Sequence, residues 1–329
     1  MNQPILHITN GDIAAGLLRR SDVMGTVLPW RDILHEGPVP AGLAFAELSR
    51  LRVRFLEEAG FAADGEAQAA FAERDAALRA SGGHVVLWFE HDLYDQLQLL
   101  QLLDWFRERP PETLELIEVG EFPGIAKFEG LGQLTASQMS SLMPHRRSVS
   151  AEMTALAARA WASFRAEDPR GLEAILAEDT FVLPFLQDAL IRHLQDFPSV
   201  EEGLPRTEHN LLEAVTDDRS LLHLFRAVQA REERPYMGDS VIRYRLGGLA
   251  TGRAPLVTGR GRRLSFDLAG PAFWEQEVVL TETGRRYLAG GSDWFADAGV
   301  DRWLGGVHLH PGARRWRWSR SGRRLREIV

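Results

Sequence analysis

The first 119 residues alternate between apolar runs and helical patterns, and this alternation constrains the fold more than any other feature. The apolar runs cover residues 4–10, 23–30, 84–89 and 113–119. Each of the first three ends abruptly in polar residues, as a buried parallel strand does where it meets a ligand crevice. Strand–helix–strand order at this spacing is typical of a parallel sheet with helices on both faces. We therefore predict a Rossmann-like α/β domain over residues 1–128.

The segments between these runs have helical periodicity. In residues 93–106, leucines at positions 93, 97, 100 and 103 recur at spacings of four and three, and further apolar residues widen this stripe. Such a wide apolar stripe indicates a well-buried helix. A second helical pattern covers residues 43–79 with an interruption near residues 60–65, and a shorter helix is predicted over residues 13–20.

Residues 129–203 are predicted to form an all-helical middle segment. Thr135 and Gln138 have the spacing of a capping box, in which each side chain bonds the backbone N–H of the other residue. A helix is predicted over residues 151–165. Pro184 suits the first position of another helix, which would continue to about residue 197.

Residues 204–329 are predicted to form a winged-helix-like domain that ends in a β-hairpin. Three short helices, a two-stranded ribbon and a Leu-Thr-x-x-Gly-Arg segment resemble that variant of helix-turn-helix. The hairpin, over residues 303–318, would turn at Pro311-Gly312. The predicted helices of this domain are 207–215, 220–231 and 240–250, and its predicted ribbon strands are 255–258 and 277–280.

The loop-like stretch after the second apolar run is dense in side chains that can do chemistry, because Arg31, Asp32, His35 and Glu36 lie within six positions. We hypothesise that His35, or His91 after the third run, acts as a general base, since an imidazole titrates near neutral pH. Glu36 or Asp32 would orient it, and Arg31 would hold an anionic substrate group. The structural alternative is an Arg31–Asp32 ion pair beside a solvated His35–Glu36 pair.

Further candidates for ligand binding lie where the polar clusters follow the apolar runs: Asn10, Asp12, Trp30, Asp92 and Tyr94. Asp12 and Asp92 also suit a structural role, because each precedes a predicted helix whose first N–H groups a carboxylate can cap. No G-x-G-x-x-G or P-loop pattern occurs in the sequence, so the usual nucleotide-binding signatures are absent.

A divalent metal is a further option at this edge of the predicted sheet. Its candidate ligands are His7, His35 and His91, and Asp12 and Asp92 would complete a mixed nitrogen and oxygen set. Their spacing matches none of the common metal-binding motifs. His7 lies inside the first predicted strand and equally suits a hydrogen-bonded core residue.

Composition excludes several classes of protein. The absence of cysteine rules out disulfides, thiolate metal sites and a cysteine nucleophile. The chain has no recognisable signal peptide and no run near the roughly 20 apolar residues that a membrane span needs, so we expect a cytoplasmic protein without a membrane partner. The net charge of −8 is uneven, since residues 301–329 carry +6 and the rest of the chain −14.

The basic C-terminal region supports an alternative function, which is nucleic-acid binding through the winged-helix-like domain. Trp316 and Trp318 could stack on bases, or they could pack the hairpin onto the protein body while the arginines around them stay solvated. The acidic remainder of the chain disfavours nucleic acid, and a protein-interaction scaffold is the third hypothesis. The candidate nucleic-acid contacts are the arginines of the third helix and of the wing: Arg243, Arg245, Arg260 and Arg262.

Taken together, these motifs resemble a bacterial family, the domain of unknown function 1835. The resemblance rests on His-Ile-Thr-Asn-Gly-Asp at residues 7–12, Leu-Pro-Trp-Arg-Asp-x-Leu-His-Glu-Gly-Pro-Val at 28–39 and Trp-Phe-x-His-Asp-Leu-Tyr-Asp-Gln-Leu at 88–97. Residues 236–239 and 301–309 are similar to segments common in full-length members. The resemblance implies a bacterial cytoplasmic protein and brings no established activity.

The leading functional hypothesis is a small-molecule site at the strand ends of the first domain. Three polar clusters, each after an apolar run, motivate it. We expect an anionic or phosphorylated ligand, bound either without reaction or with chemistry of the hydrolase or transferase type. Serine catalysis of the G-x-S-x-G type has no support, because that motif is absent.

Overall fold

Strands that run parallel to one another form most of the main sheet, as the alternating sequence pattern predicts. The computed structural model describes residues 4–215, 220–290, 293–311 and 313–328. The first six strands are β1 (Leu6–Thr9), β2 (Thr26–Pro29), β3 (Gly37–Pro38), β4 (His84–Glu90), β5 (Thr113–Val119) and β6 (Arg147–Ser148). Strands β2-β1-β4-β5 are parallel in that order, and β6 pairs antiparallel with β5. The predicted α/β class is confirmed, although β1 and β2 are shorter than their apolar runs.

The helices that accompany this sheet follow the predicted pattern closely. Gly60 and Gly65 adopt φ values of 74° and 77°, which side chains rarely tolerate, so the long helical pattern divides there into two helices. The capping box is present, with Gln138 donating its backbone N–H to Thr135 at 3.3 Å. The helices are α1 (Asp12–Arg19), α2 (Phe45–Glu58), α3 (Glu66–Arg79), α4 (Leu93–Glu108), α5 (Ala136–Leu142), α6 (Ala151–Arg165), α7 (Arg170–Leu176) and α8 (Leu186–Leu194).

Helix α4 is buried around its whole circumference, as its wide leucine stripe predicts. It packs against β4 on one side and against α6 on the other, so leucines that face away from the sheet are also covered. The buried side of α6 is apolar and includes Leu156, Ala160 and Phe164. Helix α6, in the first half of the predicted helical middle segment, therefore forms an outer layer that covers α4.

The chain divides into two units. The first unit comprises Met1–Ile191 together with Gly305–Val307, and the second comprises Arg192–Leu304 and His308–Val329. The short segment at Gly305–Val307 belongs to the first unit because its backbone bonds there. Val39 donates its N–H to the Gly305 carbonyl at 2.8 Å, and Gly306 donates to the Phe164 carbonyl at 2.9 Å.

The second unit contains three short helices at the predicted positions, a two-stranded ribbon and a final hairpin. Strands β7 and β8 pair antiparallel, and so do β11 and β12. No helix in the described part of the chain is both long enough and apolar enough to cross a membrane. The remaining elements are α9 (Arg206–Ala214), α10 (Leu221–Arg231), α11 (Asp239–Ala250), β7 (Val257–Gly259), α12 (Gly270–Trp274), β8 (Val278–Leu280), α13 (Glu282–Leu288), α14 (Trp294–Ala298), β9 (Arg302–Gly305), β10 (Val307–Leu309), β11 (Arg315–Ser319) and β12 (Arg324–Ile328).

The predicted final hairpin over residues 303–318 is wrong in its pairing. The strand that holds the tryptophans, β11, pairs with β12 at the end of the chain, and Gly312 of the predicted turn lies outside the described residues. Trp316 and Trp318 are buried, which matches the packing alternative. Arg317 between them is also buried, because its guanidinium donates to Asp293 at 2.8 Å, so it is not solvated as expected.

A buried ion-pair cluster fixes the loop between β2 and α2. The Asp32 carboxylate is fully buried; it accepts from Arg52 Nε at 3.0 Å and lies 3.7 Å from Arg74 Nη1. Arg52 also donates to the carbonyls of Glu36 at 2.7 Å and Ile33 at 2.8 Å. One guanidinium from α2 therefore holds both the side chain and the backbone of the loop.

Replacing Arg52 with methionine should destabilise the protein by about 3–5 kcal/mol, because it leaves the buried Asp32 charge without its main partner. Urea unfolding followed by circular dichroism measures this loss. Arg50→Met is the matched control, since Arg50 is exposed on the same helix and its replacement should cost less than about 0.5 kcal/mol. Equal stability of the two variants would contradict a structural role for the Asp32 cluster.

Candidate functional site

The strand ends of the first unit open into a crevice where the sheet topology predicts one. From β1 the chain passes through α1 to β2 on one side, whereas β4 and β5 follow on the other side of β1. Ligands of open α/β sheets bind at such a switch point, beyond the carboxyl ends of the strands. Here the residues after β1 and β4 meet, and both belong to the polar clusters predicted from sequence.

Two clefts lie at this edge and share Gly11, Asp12 and Tyr94 in their walls. The larger cleft, about 570 Å³, extends past Arg31 towards helix α3. The smaller cleft, about 350 Å³, is lined by Asn10 and extends towards Glu90 and residues 129–133. Of the residues predicted to bind a ligand, Asn10, Asp12, Arg31 and Tyr94 therefore line a cleft. The structure brings these four together from three distant segments of the chain.

Arg31 has a left-handed backbone conformation at the rim of the larger cleft. Its φ is 52°, and among the described residues only Arg323 is another non-glycine residue with positive φ. Such a conformation costs about 1–3 kcal/mol and persists where the surroundings impose it, often at functional sites. The guanidinium donates through Nε and Nη2 to Asp12, at 2.6–3.0 Å, and this bonding raises the pKa of Arg31. The expected Arg31–Asp32 pair is replaced by Arg31–Asp12, and Asp12 is the first residue of α1 rather than its cap.

Three buried carboxylates converge beside the smaller cleft. Oxygen atoms of Glu90, Asp92 and Asp95 lie within 4.8 Å of one another. Glu90 is the last residue of β4, and Asp92 caps α4 by accepting from the Asp95 N–H at 3.0 Å, as the structural alternative for Asp92 predicts. The Asn10 amide donates to both Glu90 and Asp95, at 3.0 and 2.9 Å, and so ties the end of β1 to this cluster.

The proximity of these carboxylates changes their proton affinity. Burial and the neighbouring charges of Asp95 and Asp92 raise the pKa of Glu90 well above its usual value. Burial also raises the pKa of Asp95 to about 7, although its hydrogen bonds with Asn10 and the Glu90 backbone oppose that rise. Near neutral pH the cluster therefore retains a proton, or it requires a cation to balance its charge.

The residues predicted to be catalytic lie behind the crevice rather than in its walls. Asp32, His35, Glu36 and His91 are all buried, and none of them lines either cleft. The ring of His35 meets the ring of Tyr94 edge-on, with centroids 5.9 Å apart. His91 donates from Nδ1 to the Val119 carbonyl at 3.3 Å.

Trp30, predicted to bind a ligand, is part of the core. Its indole N–H donates to Gln101 at 2.9 Å, and the guanidinium of Arg74 lies over its ring at 4.3 Å. A fully buried ring with these partners offers no face to a ligand in either cleft. The apolar run that contains Trp30 explains this placement, because it continues the buried strand β2.

The predicted histidine ligands do not form a metal site. His7 accepts the Trp88 indole N–H on Nδ1 at 3.1 Å and donates from Nε2 to the Met24 carbonyl at 3.2 Å, so both ring nitrogens are engaged. Burial lowers the pKa of His7 and keeps the ring neutral. Among the described residues, the only group of three candidate ligands within 4.8 Å is Glu90, Asp92 and Asp95. Carboxylate oxygens suit hard cations such as Mg²⁺, Mn²⁺ or Ca²⁺.

Sequence reasoning missed Glu90 and Asp95. Glu90 ends an apolar run, and Asp95 lies three residues after the capping Asp92, so their positions in the third polar cluster were a usable signal. The sequence pattern favoured the neighbouring His91 instead, because an imidazole titrates near neutral pH and an ordinary carboxylate does not. Only the three-dimensional structure shows that both acids accept from the Asn10 amide, which is 80 positions from Glu90 and 85 positions from Asp95.

The arginines of the nucleic-acid hypothesis occupy different environments. Arg245 is buried and donates to Glu208 at 2.8 Å and Asp196 at 3.1 Å, an environment that argues against a phosphate contact. Arg243 is half-buried and donates to the carbonyls of Leu268 and Phe266. Arg260 and Arg262 are exposed, and Arg260 pairs with Glu277 at 3.0 Å. Only the two wing arginines keep the solvent access that the hypothesis requires.

Comparison with known proteins assigns no class to this chain. No protein-family model matches the sequence, and a search of curated proteins finds no match either. The resemblance to the domain of unknown function 1835, and with it the expectation of a bacterial cytoplasmic protein, stays a prediction.

Replacing Glu90 with glutamine should stabilise the protein at alkaline pH. The folded state of the wild type has pKa values above the usual ones for Glu90 and Asp95, so its stability falls as pH rises from about 4 to 7. Glutamine removes one charge and keeps an oxygen that can accept the Leu131 N–H. We expect a gain of about 1–3 kcal/mol in the free energy of unfolding near pH 8, which disappears towards pH 4.

Urea unfolding at several pH values measures this difference. Glu129→Gln is the matched control, because Glu129 also lines the smaller cleft but is exposed there. A loss of stability in Glu90→Gln near pH 8, or a difference that does not change with pH, would contradict the charge repulsion inferred for the cluster.

Proposed function

We propose that the first unit binds an anionic or phosphorylated small molecule in the crevice through a divalent cation held by Glu90, Asp92 and Asp95. The convergence of these three carboxylates at the switch point of the sheet carries the proposal. Hydrolytic or group-transfer chemistry is the version of the function that such a site suits best. A cation in this position would polarise a phosphoryl or carbonyl oxygen of the ligand and orient it.

The charge of the crevice supports a cation as part of the site. Five carboxylates line the two clefts, whereas Arg31 is the only basic residue among the described residues in their walls. An anion alone would meet net repulsion there. A cation reverses the local charge, and the raised pKa values of Glu90 and Asp95 mean that it competes with a proton for the same oxygens.

Arg31 is the residue that we assign to the anionic group of the ligand. The Arg31 side chain is 37% exposed, and that of its partner Asp12 is 63% exposed, so exchange of the Asp12 carboxylate for a ligand anion costs little. The strained backbone directs this side chain towards the larger cleft. In this proposal Asp32, His35 and Glu36 are positioning residues, since they fix the loop that carries Arg31 and support Tyr94.

Isothermal titration calorimetry with MnCl₂ tests the cation site directly. We expect the full-length protein to bind Mn²⁺ more tightly near pH 8 than near pH 6, because protons leave the carboxylates over that range. Glu90→Gln should weaken binding at least about tenfold, whereas Glu129→Gln should bind as the wild type does. Pyrophosphate should then bind in the presence of Mn²⁺ and not in its absence. Mn²⁺ affinity that Glu90→Gln leaves unchanged would overturn the proposal.

A second candidate function is nucleic-acid binding by a winged-helix-like arrangement in the second unit. It is favoured by the order of α9, α10, α11 and the β7–β8 ribbon. An isolated antiparallel bridge between Ser220 and Glu277 also joins the start of α10 to the residue before β8. The wing carries the exposed Arg260 and Arg262. This order of elements supports the winged-helix comparison, in which a wing contacts the phosphate backbone.

Fluorescence anisotropy with a labelled DNA duplex tests this alternative. If the wing binds DNA, affinity should fall steeply between about 50 and 200 mM salt, and Arg260→Ala with Arg262→Ala should weaken binding and reduce the salt slope by about 2. Arg326→Ala, at an exposed arginine on β12, is the control. Absence of binding at about 50 mM salt would exclude this function.

A further inference from the structure

The larger cleft continues past Arg31 into a space that a phosphate group alone would not fill. Its volume of about 570 Å³ lies in the range of about 300–1,000 Å³ that is typical of sites for small organic molecules. The cation and Arg31 account only for the end of the cleft beside Gly11, Asp12 and Tyr94, which the smaller cleft shares. The rest of the larger cleft is therefore available to the organic part of the ligand.

The wall of the larger cleft beyond Arg31 is largely apolar. It is formed by a small hydrophobic cluster between α2 and α3, in which Leu56 and Phe71 are buried whereas Ile33 and Phe61 are partly exposed. Apolar surface in a concave wall is typical of a ligand site, and a ligand that covers this surface gains affinity from its burial. The members of the cluster that line the cleft are Ile33, Leu56, Phe61, Ala62, Ala67 and Phe71.

Two glutamates of α3 add negative charge to the same wall. Glu66 is engaged at the start of the helix, because its Oε2 accepts the Ala63 N–H at 3.1 Å. Glu73, two turns further along α3, is exposed in the cleft and accepts no hydrogen bond from the described residues. Hydrogen bonds with Asp12 contribute most to the raised pKa of Arg31, and the charge of Glu73 adds to it. A ligand group that reaches Glu73 is therefore favoured by a positive charge and opposed by a negative one.

We propose that the ligand of the crevice is a phosphomonoester whose organic group combines a ring-sized apolar body with an amine. This inference rests on the proposed function, because the cation and Arg31 hold the phosphoryl end of the ligand. The apolar body covers the exposed parts of Ile33 and Phe61, and the protonated amine lies towards Glu73. The larger cleft thus selects its ligand at both ends by charge and between them by apolar contact.

Isothermal titration calorimetry of the Mn²⁺-loaded full-length protein near pH 8 tests the apolar part. Phosphonates serve as probes, because their carbon–phosphorus bond resists hydrolysis. Benzylphosphonate should bind at least about tenfold more tightly than methylphosphonate, since its ring buries apolar surface in the cleft. Equal affinity of the two, or no binding of either where pyrophosphate binds, would overturn this inference and leave the proposed function intact. If pyrophosphate also fails to bind with Mn²⁺, the proposed function falls and this inference falls with it.

A charged group on the ring of the probe tests the role of Glu73. 4-(Aminomethyl)benzylphosphonate should bind at least about fourfold more tightly than 4-carboxybenzylphosphonate, because an exposed carboxylate attracts the first and repels the second by about twofold each. Glu73→Gln should reduce this ratio. Glu112→Gln is the matched control, since Glu112 is exposed directly before β5, at the amino ends of the parallel strands, and its replacement should preserve the ratio. An unchanged ratio in Glu73→Gln, or a preference for the carboxylate, would overturn the assignment of the amine.

Alanines of α3 give a matched pair of variants that locate the apolar body. Ala70 is half-buried in the cleft wall, whereas Ala72 is exposed outside the cleft. Ala70→Leu should weaken benzylphosphonate binding at least about tenfold, because the larger side chain occupies the space of the ring, and Ala72→Leu should bind as the wild type does. Ala69→Leu, at an exposed position of the same wall, takes the place of Ala70→Leu if circular dichroism shows that the latter does not fold. Retained affinity in the folded cleft variant, or equal loss in Ala72→Leu, would overturn the inference.

Discussion

The buried Asp32 carboxylate is the interaction on which the crevice of the first unit depends. A charge that is fully removed from water requires partners, and α2 and α3 supply them as Arg52 and Arg74. Because Arg52 also bonds the loop carbonyls, the loop leaves β2 along a fixed path that ends the strand with Arg31 in its left-handed conformation. Helices α2 and α3, through Arg52 and Arg74, thus determine where the one basic side chain that lines the clefts points.

The sequence was sufficient for the parallel sheet and most helix boundaries, because these follow from local periodicity, glycine breaks and capping residues such as Thr135. It was sufficient also for the location of the crevice, since strand ends of a parallel sheet share one edge. It could not identify the partners of charged side chains. Asp32 meets Arg52 across 20 positions, and Asn10 meets Asp95 across 85, and such pairings leave no local pattern. The local pattern therefore singles out the histidines, whereas the carboxylate cluster around Glu90 is visible only in the structure.

The two units differ in how they balance buried charge. In the first unit, carboxylates gather with an amide and backbone N–H groups, and no guanidinium is hydrogen-bonded to Glu90 or Asp95 among the described residues. In the second unit, the buried carboxylates of Asp196, Glu232 and Glu208 each have an arginine partner. This contrast explains why we infer a cation for the site in the first unit. Buried charge indicates that cation more clearly than any sequence motif does.

The return of Gly305–Val307 to the first unit affects the order of events during synthesis. Until these residues leave the ribosome, the Val39 N–H and the Phe164 carbonyl lack the partners that they have in the finished fold. The whole main segment of the second unit, Arg192–Leu304, is translated after Ile191 and before Gly305. The first unit consequently cannot complete its hydrogen bonding as an N-terminal domain that folds ahead of the rest, and this completion waits until residues 305–307 have emerged.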